Sequence, residues 1–529
     1  MTAPPGSVAA GALFAVGDFR KVAARFSGGA VGRGGLDEAA GEVRPSVVVP
    51  RRGMVLAAAL MATFMAAVES TIVATAMPTI VADLGGFRLF SWVFAAYLLT
   101  MAVTVPVYGR LADLYGRKRV FFAGTGVFLV GTTLCGFARS MMVLIIFRAI
   151  QGVGAGAIQP VAVTILGDIY TPAERARVQG YSSSVFGVSA IVGPALGAFI
   201  VEHLHWALVF WVNLPIGLAS MLMFALYLRE NVAHRGRRVD YLGSVLLTLG
   251  IGTAMLALVQ GMRLGAAGIA IASAIATAAF FLLAVHEART PDPIVPFRLW
   301  RNRVIALANL GVFGTGSAMM GVSAFLPAYV QGVMGRGPGV AGFALGCQSV
   351  SWMFATIVAG RLMVRTSYRL SAGIGAAALF AGGALLVLLT PASGVWLAAG
   401  GSFVMGIGMG FCNPAFLVSI QASVEWGERG VATGANMFMR TFGQAFGAAV
   451  FGAVVNFGVH ARVPYAGDAV NKLLQPGLRN ELGTGQLARL TQAFAASMHE
   501  VYWLVVAIAV AVMAVAALFP ARLSPIRPR

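Results

Sequence analysis

The chain alternates long apolar stretches with short polar gaps. Fourteen apolar stretches begin near residues 54, 90, 120, 140, 178, 206, 241, 265, 303, 339, 371, 394, 430 and 499. One membrane crossing needs about 20 mostly apolar residues, and these stretches are of that order. The pattern therefore predicts an all-α integral membrane protein with fourteen transmembrane helices.

The composition excludes a soluble globular protein. Only 11% of the residues are charged and 58% are hydrophobic, whereas soluble domains carry about 25% charged residues. The net charge of +19 is not gathered into a basic patch interleaved with aromatic residues, so we expect no nucleic-acid partner. We expect the excess cations in cytoplasmic loops instead.

The distribution of cations predicts that both termini are cytoplasmic. Residues 1–52 are rich in Gly, Ala and Pro with seven cations, which predicts a disordered cytoplasmic tail, and residues 522–529 form a second tail. With the N-terminus inside, 28 Arg and Lys residues fall in inner segments and 8 in outer ones, which fits the positive-inside rule. The long outer loop 459–498 has the spacing of an amphipathic helix at Leu487, Leu490, Phe494 and Met498.

The chain also contains an internal repeat. The stretch from Gly152 to Pro160 recurs from Gly406 to Pro414, at an offset of 254 residues, and the triplet after span two recurs after span ten at 251. The repeat predicts two equivalent six-helix bundles, at 53–230 and 291–521, with two inserted helices at 231–290. Parallel repeats of this kind are typical of carriers that bind substrate between their halves.

Several short patterns resemble signatures of the major facilitator superfamily, and those in spans one and six resemble its fourteen-span drug:proton antiporter branch. They are the loop after span two with Gly109, Asp113, Gly116 and Arg117; Arg148, Gln151 and Gly152 in span four; Gly187, Gly193, Pro194 and Gly197 in span five; Glu69 to Pro78 in span one; and Trp211 to Gly217 in span six. The resemblance implies export of small amphipathic or cationic compounds, such as drugs, dyes and antibiotics, in exchange for protons by alternating access.

The resemblance also implies roles for two of these patterns. It places Asp113 against the start of span thirteen, where a helix N-terminus attracts a carboxylate, with Arg117 as a second contact of this conformational latch. A loop that only sets topology is the alternative. The glycines of span five around Pro194 imply close helix contact and a bend in an antiporter helix, although general packing is an alternative in a chain with 66 glycines.

Glu69 is the one carboxylate of 19 that lies well inside an apolar stretch. Such a group is costly in a membrane unless it is paired or faces water, and it is a functional candidate by default. Glu69 precedes Pro78, taken as the outer end of span one, by nine residues, and Arg148 lies at a similar depth in span four, so the two can pair. The pair is either a permanent structural ion pair or a proton-coupling site in which Glu69 carries the proton.

Other residues are candidates to line a substrate cavity, because methionine, aromatic and polar side chains suit promiscuous apolar pockets. Arg440 has no acidic partner in its half of the sequence, so it meets either an anionic substrate or backbone carbonyls. The candidates are Gln151, Asn213, Met320, Met409 and Arg440, together with Trp92, Trp211, Met319 and Met405.

The sequence predicts no cofactor and no metal. It has no phosphate-binding glycine loop, which excludes ATP as the energy source, and its six histidines lack metal-ligand spacing. The expected partners are a small-molecule substrate, protons and the lipid bilayer, for a monomer in the cell (inner) membrane of a bacterium. A dedicated exporter of one metabolite, lipid or siderophore is the alternative, and a membrane enzyme or receptor is a more remote one.

Overall fold

The computed structural model describes residues 51–170, 172–230, 240–290, 297–424, 429–463, 467–474 and 483–520. Within these ranges the regular structure is helical, and fourteen helices are long and apolar enough to cross a membrane. The fourteen-helix prediction is therefore confirmed. The two predicted tails lie outside the described residues, apart from residues 51 and 52.

Six helices form the N-terminal bundle. Their bounds are Arg52–Leu84 (α1), Phe90–Tyr115 (α2), Arg117–Gly136 (α3), Met141–Ile169 (α4), Pro172–His203 (α5) and, in two pieces, Leu208–Trp211 with Asn213–Tyr227 (α6). Two further helices follow. Their bounds are Tyr241–Leu258 (α7) and Leu264–Arg289 (α8).

Six more helices form the C-terminal bundle. Their bounds are Arg303–Gly332 (α9), Pro338–Arg365 (α10), Tyr368–Val387 (α11), Val395–Ala422 (α12), Arg429–Arg462 (α13) and Thr484–Leu518 (α14). Short helices at Phe297–Trp300 and Gly467–Leu474 lie outside this set.

The two bundles pair their helices in the same way. In the first bundle, α4 packs on α2 and α3, and α1 packs on α5 and α6; in the second, α12 packs on α10 and α11, and α9 packs on α13 and α14. Every pair recurs eight helices later. The repeated sequence therefore builds a repeated helix packing, as in carriers made of two parallel repeats.

The glycines of the repeat permit this pairing. A Cβ atom at Gly152 would collide with the carbonyl of Tyr97 in α2, and a Cβ atom at Gly406 would collide with the carbonyl of Gln348 in α10. Only a residue without a side chain allows the helix backbones to approach so closely. The same close contact is thus made once in each bundle.

The bundles meet through two equivalent helix pairs, α2 with α13 and α5 with α10. Four hydrogen bonds between described residues of the two halves of the chain lie at the end of the molecule where α1 ends and α2 begins, called here the closed end. They are Gln331 Nε2 to Thr75 O (3.3 Å), Phe87 N to Asn471 Oδ1 (3.1 Å), Gly339 N to Glu202 Oε1 (2.6 Å) and Asn456 Nδ2 to Arg88 O (2.8 Å).

The inserted helices α7 and α8 contact α2 and α13 from outside the bundles. Gly265, with φ of 64°, separates them. At their other ends Asp240 caps α7 through Gly243 N (2.8 Å) and meets Nε2 of His286 in α8 (2.7 Å). Many of their apolar side chains are exposed, as expected of helices that face lipid.

Two helix ends differ from the sequence prediction. Pro78 does not end α1, which continues to Leu84, because a transmembrane helix tolerates a proline when neighbouring groups satisfy the freed carbonyl. The last span begins at Thr484 rather than near 499. The amphipathic segment of loop 459–498 is therefore helical but continuous with α14, and its Phe494 ring packs on Phe87 of the first bundle at 5.4 Å.

The tight contact of α2 with α13 generates a test of the closed end. A Cβ atom at Gly452 in α13 would collide with Ser91 in α2, so we expect Gly452→Val to push the bundles apart. Buried Thr75, replaced by cysteine, should then react several times faster with a membrane-impermeant maleimide. Gly400→Val is the control because nothing lies within 4 Å of its added Cβ atom. Equal labelling in the two variants would contradict this account of the interface.

Candidate functional site

A buried ion pair lies inside the N-terminal bundle. Glu69 occupies the middle of α1 and is fully buried, while Arg148 lies two turns into α4 and is 2% exposed. Nη1 of Arg148 donates to Oε1 of Glu69. The structure thus brings together the two residues that sequence analysis singled out, although Glu69 lies further from the end of α1 than Pro78 suggested.

Two amide side chains complete the network around the pair. Asn213 in α6 donates through Nδ2 to Oε2 of Glu69 (2.6 Å), so both carboxylate oxygens are engaged. Gln151 accepts from Nη1 of Arg148 (2.6 Å) and donates to Thr132 in α3 (3.0 Å). Gln151 and Asn213, both fully buried, therefore belong to the ion-pair network, whereas sequence analysis placed them in a substrate cavity.

Arg148 also contacts α2. Its Nε donates to the carbonyl of Val93 (3.2 Å), and its guanidinium carbon lies 4.0 Å from the centre of the Tyr97 ring. One side chain thus contacts α1 and α2 as well as Gln151 of its own helix. A buried charge that loses its partner is strongly destabilising, so the packing of these helices depends on the pair staying intact.

The helix α5 links this site to the other bundle. Cβ atoms at Gly193 and Gly197 would collide with Thr71 and Ile72 of α1. On its other side, the Pro194 carbonyl lies 2.9 Å from the Cβ position of Gly342 in α10. Small residues thus let α5 pack tightly between α1, which carries Glu69, and the C-terminal bundle.

Gly187, the first glycine of this helix, also faces the other bundle. A Cβ atom there would collide with the Met353 side chain of α10. All four residues singled out in α5 therefore lie at helix contacts.

The predicted latch residues lie around the turn between α2 and α3. Gly116 has φ of 90°, a conformation that favours glycine, and this turn starts α3. The side chain of Asp113 lies outside the described residues, so its contact with α13 is not tested. Nothing lies within 4 Å of the Cβ position of Gly109.

Arg117 contacts carboxylates that sequence analysis missed. Its Nη1 lies 2.6 Å from Asp168 at the end of α4, and the backbone N–H groups of Arg117 and Lys118 donate to the carboxylate of Glu230 (2.9 Å each). A carboxylate at a helix N-terminus is stabilising. These contacts join α3, α4 and the end of α6 within one bundle.

The cavity candidates Met320, Met409 and Arg440 lie in the C-terminal bundle. Met409 is buried and accepts from Nε2 of Gln348 (3.4 Å), and Met320 is 6% exposed. Arg440 in α13 is half-buried and has no hydrogen-bond or ion-pair partner within the described ranges. The candidate residues thus form two separate groups, one in each bundle.

A family profile described as "Major Facilitator Superfamily" matches residues 59–448. The chain belongs to the Major Facilitator Superfamily. The predicted family and its fourteen-helix fold are therefore confirmed, and the protein is a multi-pass membrane transporter of small molecules rather than an enzyme.

Named relatives align with most of the chain. Multidrug resistance protein 3 of Bacillus subtilis is 35% identical over 469 residues, covering 84% of this chain and 90% of that one. The multidrug transporter protein MdtP of the same organism is 32% identical, covering 77% and 76%. A transporter of the acurin A biosynthesis cluster of Aspergillus aculeatus is 30% identical, covering 85% and 83%.

Solved structures show the same fold at lower identity. A bacterial homologue of the human lysosomal transporter Spinster, in an inward-facing and unoccupied conformation, has a TM-score of 0.64 at 15% identity over 89% of this chain and 97% of that one. An auto-inhibited peptide transporter of the POT family has a TM-score of 0.61 at 14% identity, over 90% and 99%. These likenesses establish the fold alone.

The buried pair predicts non-additive stability changes. Glu69→Gln or Arg148→Met alone strands a buried group and should cost about 3 to 5 kcal/mol, seen as a lower unfolding temperature in detergent. The double variant should lose clearly less than the sum of the two losses. The exposed pair Arg462 and Glu500, at 2.6 Å, is the control, with a coupling of about 1 kcal/mol or less. Additive losses at Glu69 and Arg148 would argue against the pair.

Proposed function

We propose that the protein is a proton-coupled efflux pump that exports small amphipathic or cationic compounds, including drugs, dyes and antibiotics, by alternating access. Two relatives with multidrug names at 35% and 32% identity support this class of substrate. We place the pump as a monomer in the cell (inner) membrane of a bacterium. A dedicated exporter of one metabolite is the alternative, since another relative is named for a biosynthesis cluster.

The proposed proton carrier is Glu69. The observation that carries this proposal is its burial inside α1 with both oxygens bound, one by Arg148 and one by Asn213. When a proton binds a carboxylate oxygen, the neutral acid no longer balances the charge of Arg148, and the pair weakens. When the proton leaves, the pair forms again. The cycle thus links one proton to a change in packing between α1, α2, α4 and α6.

The proposed orientation places both termini in the cytoplasm. The excess of 28 inner over 8 outer cations supports it, and it makes the closed end the outer end. In that orientation the turn with Gly109, Asp113, Gly116 and Arg117 lies at the cytoplasmic end, where we propose that Asp113 binds the start of α13. We also propose the division into 1–52, 53–230, 231–290, 291–521 and 522–529 as the domain organisation.

Proton coupling through Glu69 is tested by transport in everted membrane vesicles. We expect Glu69→Gln to abolish proton-driven uptake of ethidium, because an amide cannot carry a proton between the two sides, while ethidium exchange without a proton gradient persists. Glu500→Gln is the matched control, since Glu500 is exposed and pairs with Arg462. Uptake by Glu69→Gln that responds to the proton gradient as the wild type does would exclude Glu69 as the carrier.

A further inference from the structure

A second cation within a membrane-spanning helix, Arg440, lies in the C-terminal bundle. Arg440 is eleven residues from the start of α13 at Arg429, roughly 16 Å along the helix axis. Its side chain is half-buried, and no acceptor among the described residues bonds to its guanidinium group. A cation in this position is costly unless it meets a partner or water.

The charge of Arg440 is not balanced by the site already described. Glu69 and Arg148 neutralise each other in the first bundle, and Glu500 pairs with Arg462 at the closed end. Arg440 itself has no acidic partner among the described residues.

The contact of α13 with α2 fixes the depth of Arg440. The two helices run antiparallel, and Gly452 packs on Ser91 at the closed end. Twelve residues earlier in α13, Arg440 is level with about residue 103 of α2. Arg148 bonds to the carbonyl of Val93, which is about ten residues and roughly 15 Å nearer the closed end. The two cations therefore form separate sites.

Other hydrogen-bond donors without a strong acceptor surround Arg440. Asn436 and Gln444 lie one turn before and after it on the same face of α13. Asn436 donates to Oδ1 of Asn309 in α9 (3.3 Å), which leaves the buried Nδ2 of Asn309 without a partner in the described part of the chain. Gln444 donates to the sulfur of Met319 (3.1 Å), and a thioether is a weak acceptor. Asn309 Nδ2 and the Arg440 guanidinium are therefore two neighbouring donors for which the described residues supply no acceptor.

This row of polar side chains faces the interior of the bundle. On α9, Gly314 and Gly321 pack on Val512 and Val505 of the peripheral helix α14. At about 100° per residue, Met319 points roughly 150° away from those two glycines. Met319, which accepts from Gln444, therefore lies on the side of α9 that faces away from α14.

We propose that Arg440, with Asn309 and Gln444, binds the anionic group of the transported compound. The inference rests on the proposed efflux function and names a substrate class, amphipathic compounds with a carboxylate or sulfonate. A guanidinium group presents two parallel N–H groups that match two oxygens of such an anion.

A matched pair of fluorescent probes tests this specificity. Dansyl glycine carries a carboxylate, and dansyl glycinamide is its neutral amide. In everted vesicles we expect Arg440→Gln to lower proton-driven uptake of dansyl glycine by about tenfold or more, since hydrogen bonds to charged groups are worth about 1.5 to 3 kcal/mol. Uptake of the amide should change by less than about twofold. Arg369→Gln removes the same charge from an exposed position and should affect neither probe.

The other outcomes distinguish failure of the anion site from failure of the proposed efflux function. Wild-type uptake of the amide but not of the acid, or an equal loss of both in Arg440→Gln, would overturn the anion site and leave the efflux function standing. No proton-driven uptake of any probe, ethidium included, would overturn the efflux function itself. If Arg440→Gln does not reach the membrane, Gln444→Leu should show the same selective loss at smaller size, and an unselective loss there would overturn the site.

Discussion

The fold of the N-terminal bundle depends on one constraint, the cost of a carboxylate buried in a membrane protein. Glu69 is tolerated because every oxygen of its carboxylate is bound, by Arg148 and by Asn213. Arg148 in turn bonds Gln151 and the carbonyl of Val93. One network of charge and hydrogen bonds therefore joins α1, α2, α4 and α6. On the proposed mechanism, a proton added to Glu69 weakens the contacts of all four helices.

Close helix contacts at small residues connect α1 to the other bundle through α5. Thr71, two residues after Glu69, packs against Gly193 of α5, and the next residue of α5, Pro194, packs against Gly342 of α10. A shift of α1 at the ion pair would therefore displace α5, which packs tightly on both α1 and α10. On the proposed mechanism, this packing and the pair of α2 with α13 are how protonation changes which end of the transporter is closed.

Much of the architecture was predictable because membrane helices carry a strong signal in composition and length. The repeat was visible in the glycines that the structure places at helix contacts, such as Gly152 and Gly406. The pairing of Glu69 with Arg148 followed from their rarity in apolar stretches. Pro78 misled the depth argument, because a proline inside a transmembrane helix and a proline at its end look alike in sequence.

The residues that sequence analysis missed depend on tertiary contact. Glu230 follows α6 and caps α3, and Asp168 at the end of α4 meets Arg117. Neither has a local pattern that identifies its partner across the bundle. A signal did exist: both are carboxylates at the same end of the bundle as the cluster of cations that begins at Arg117.

The donors around Arg440 were hidden for the same reason. Asn309 and Met319 lie near Arg440 only because α9 packs on α13, where they bond to Asn436 and Gln444. The spacing of Asn436, Arg440 and Gln444 by four residues was readable in the sequence, but it does not say which helix lies opposite.

Proton release on substrate binding tests the central claim most directly, because it measures the exchange at Glu69 without transport. Purified protein in weakly buffered detergent is mixed with ethidium, and the pH change is recorded with a dye. The account predicts that the wild type releases protons in proportion to bound ethidium and that Glu69→Gln binds ethidium without releasing them. Equal proton release by both proteins would contradict the claim that Glu69 is the coupling group.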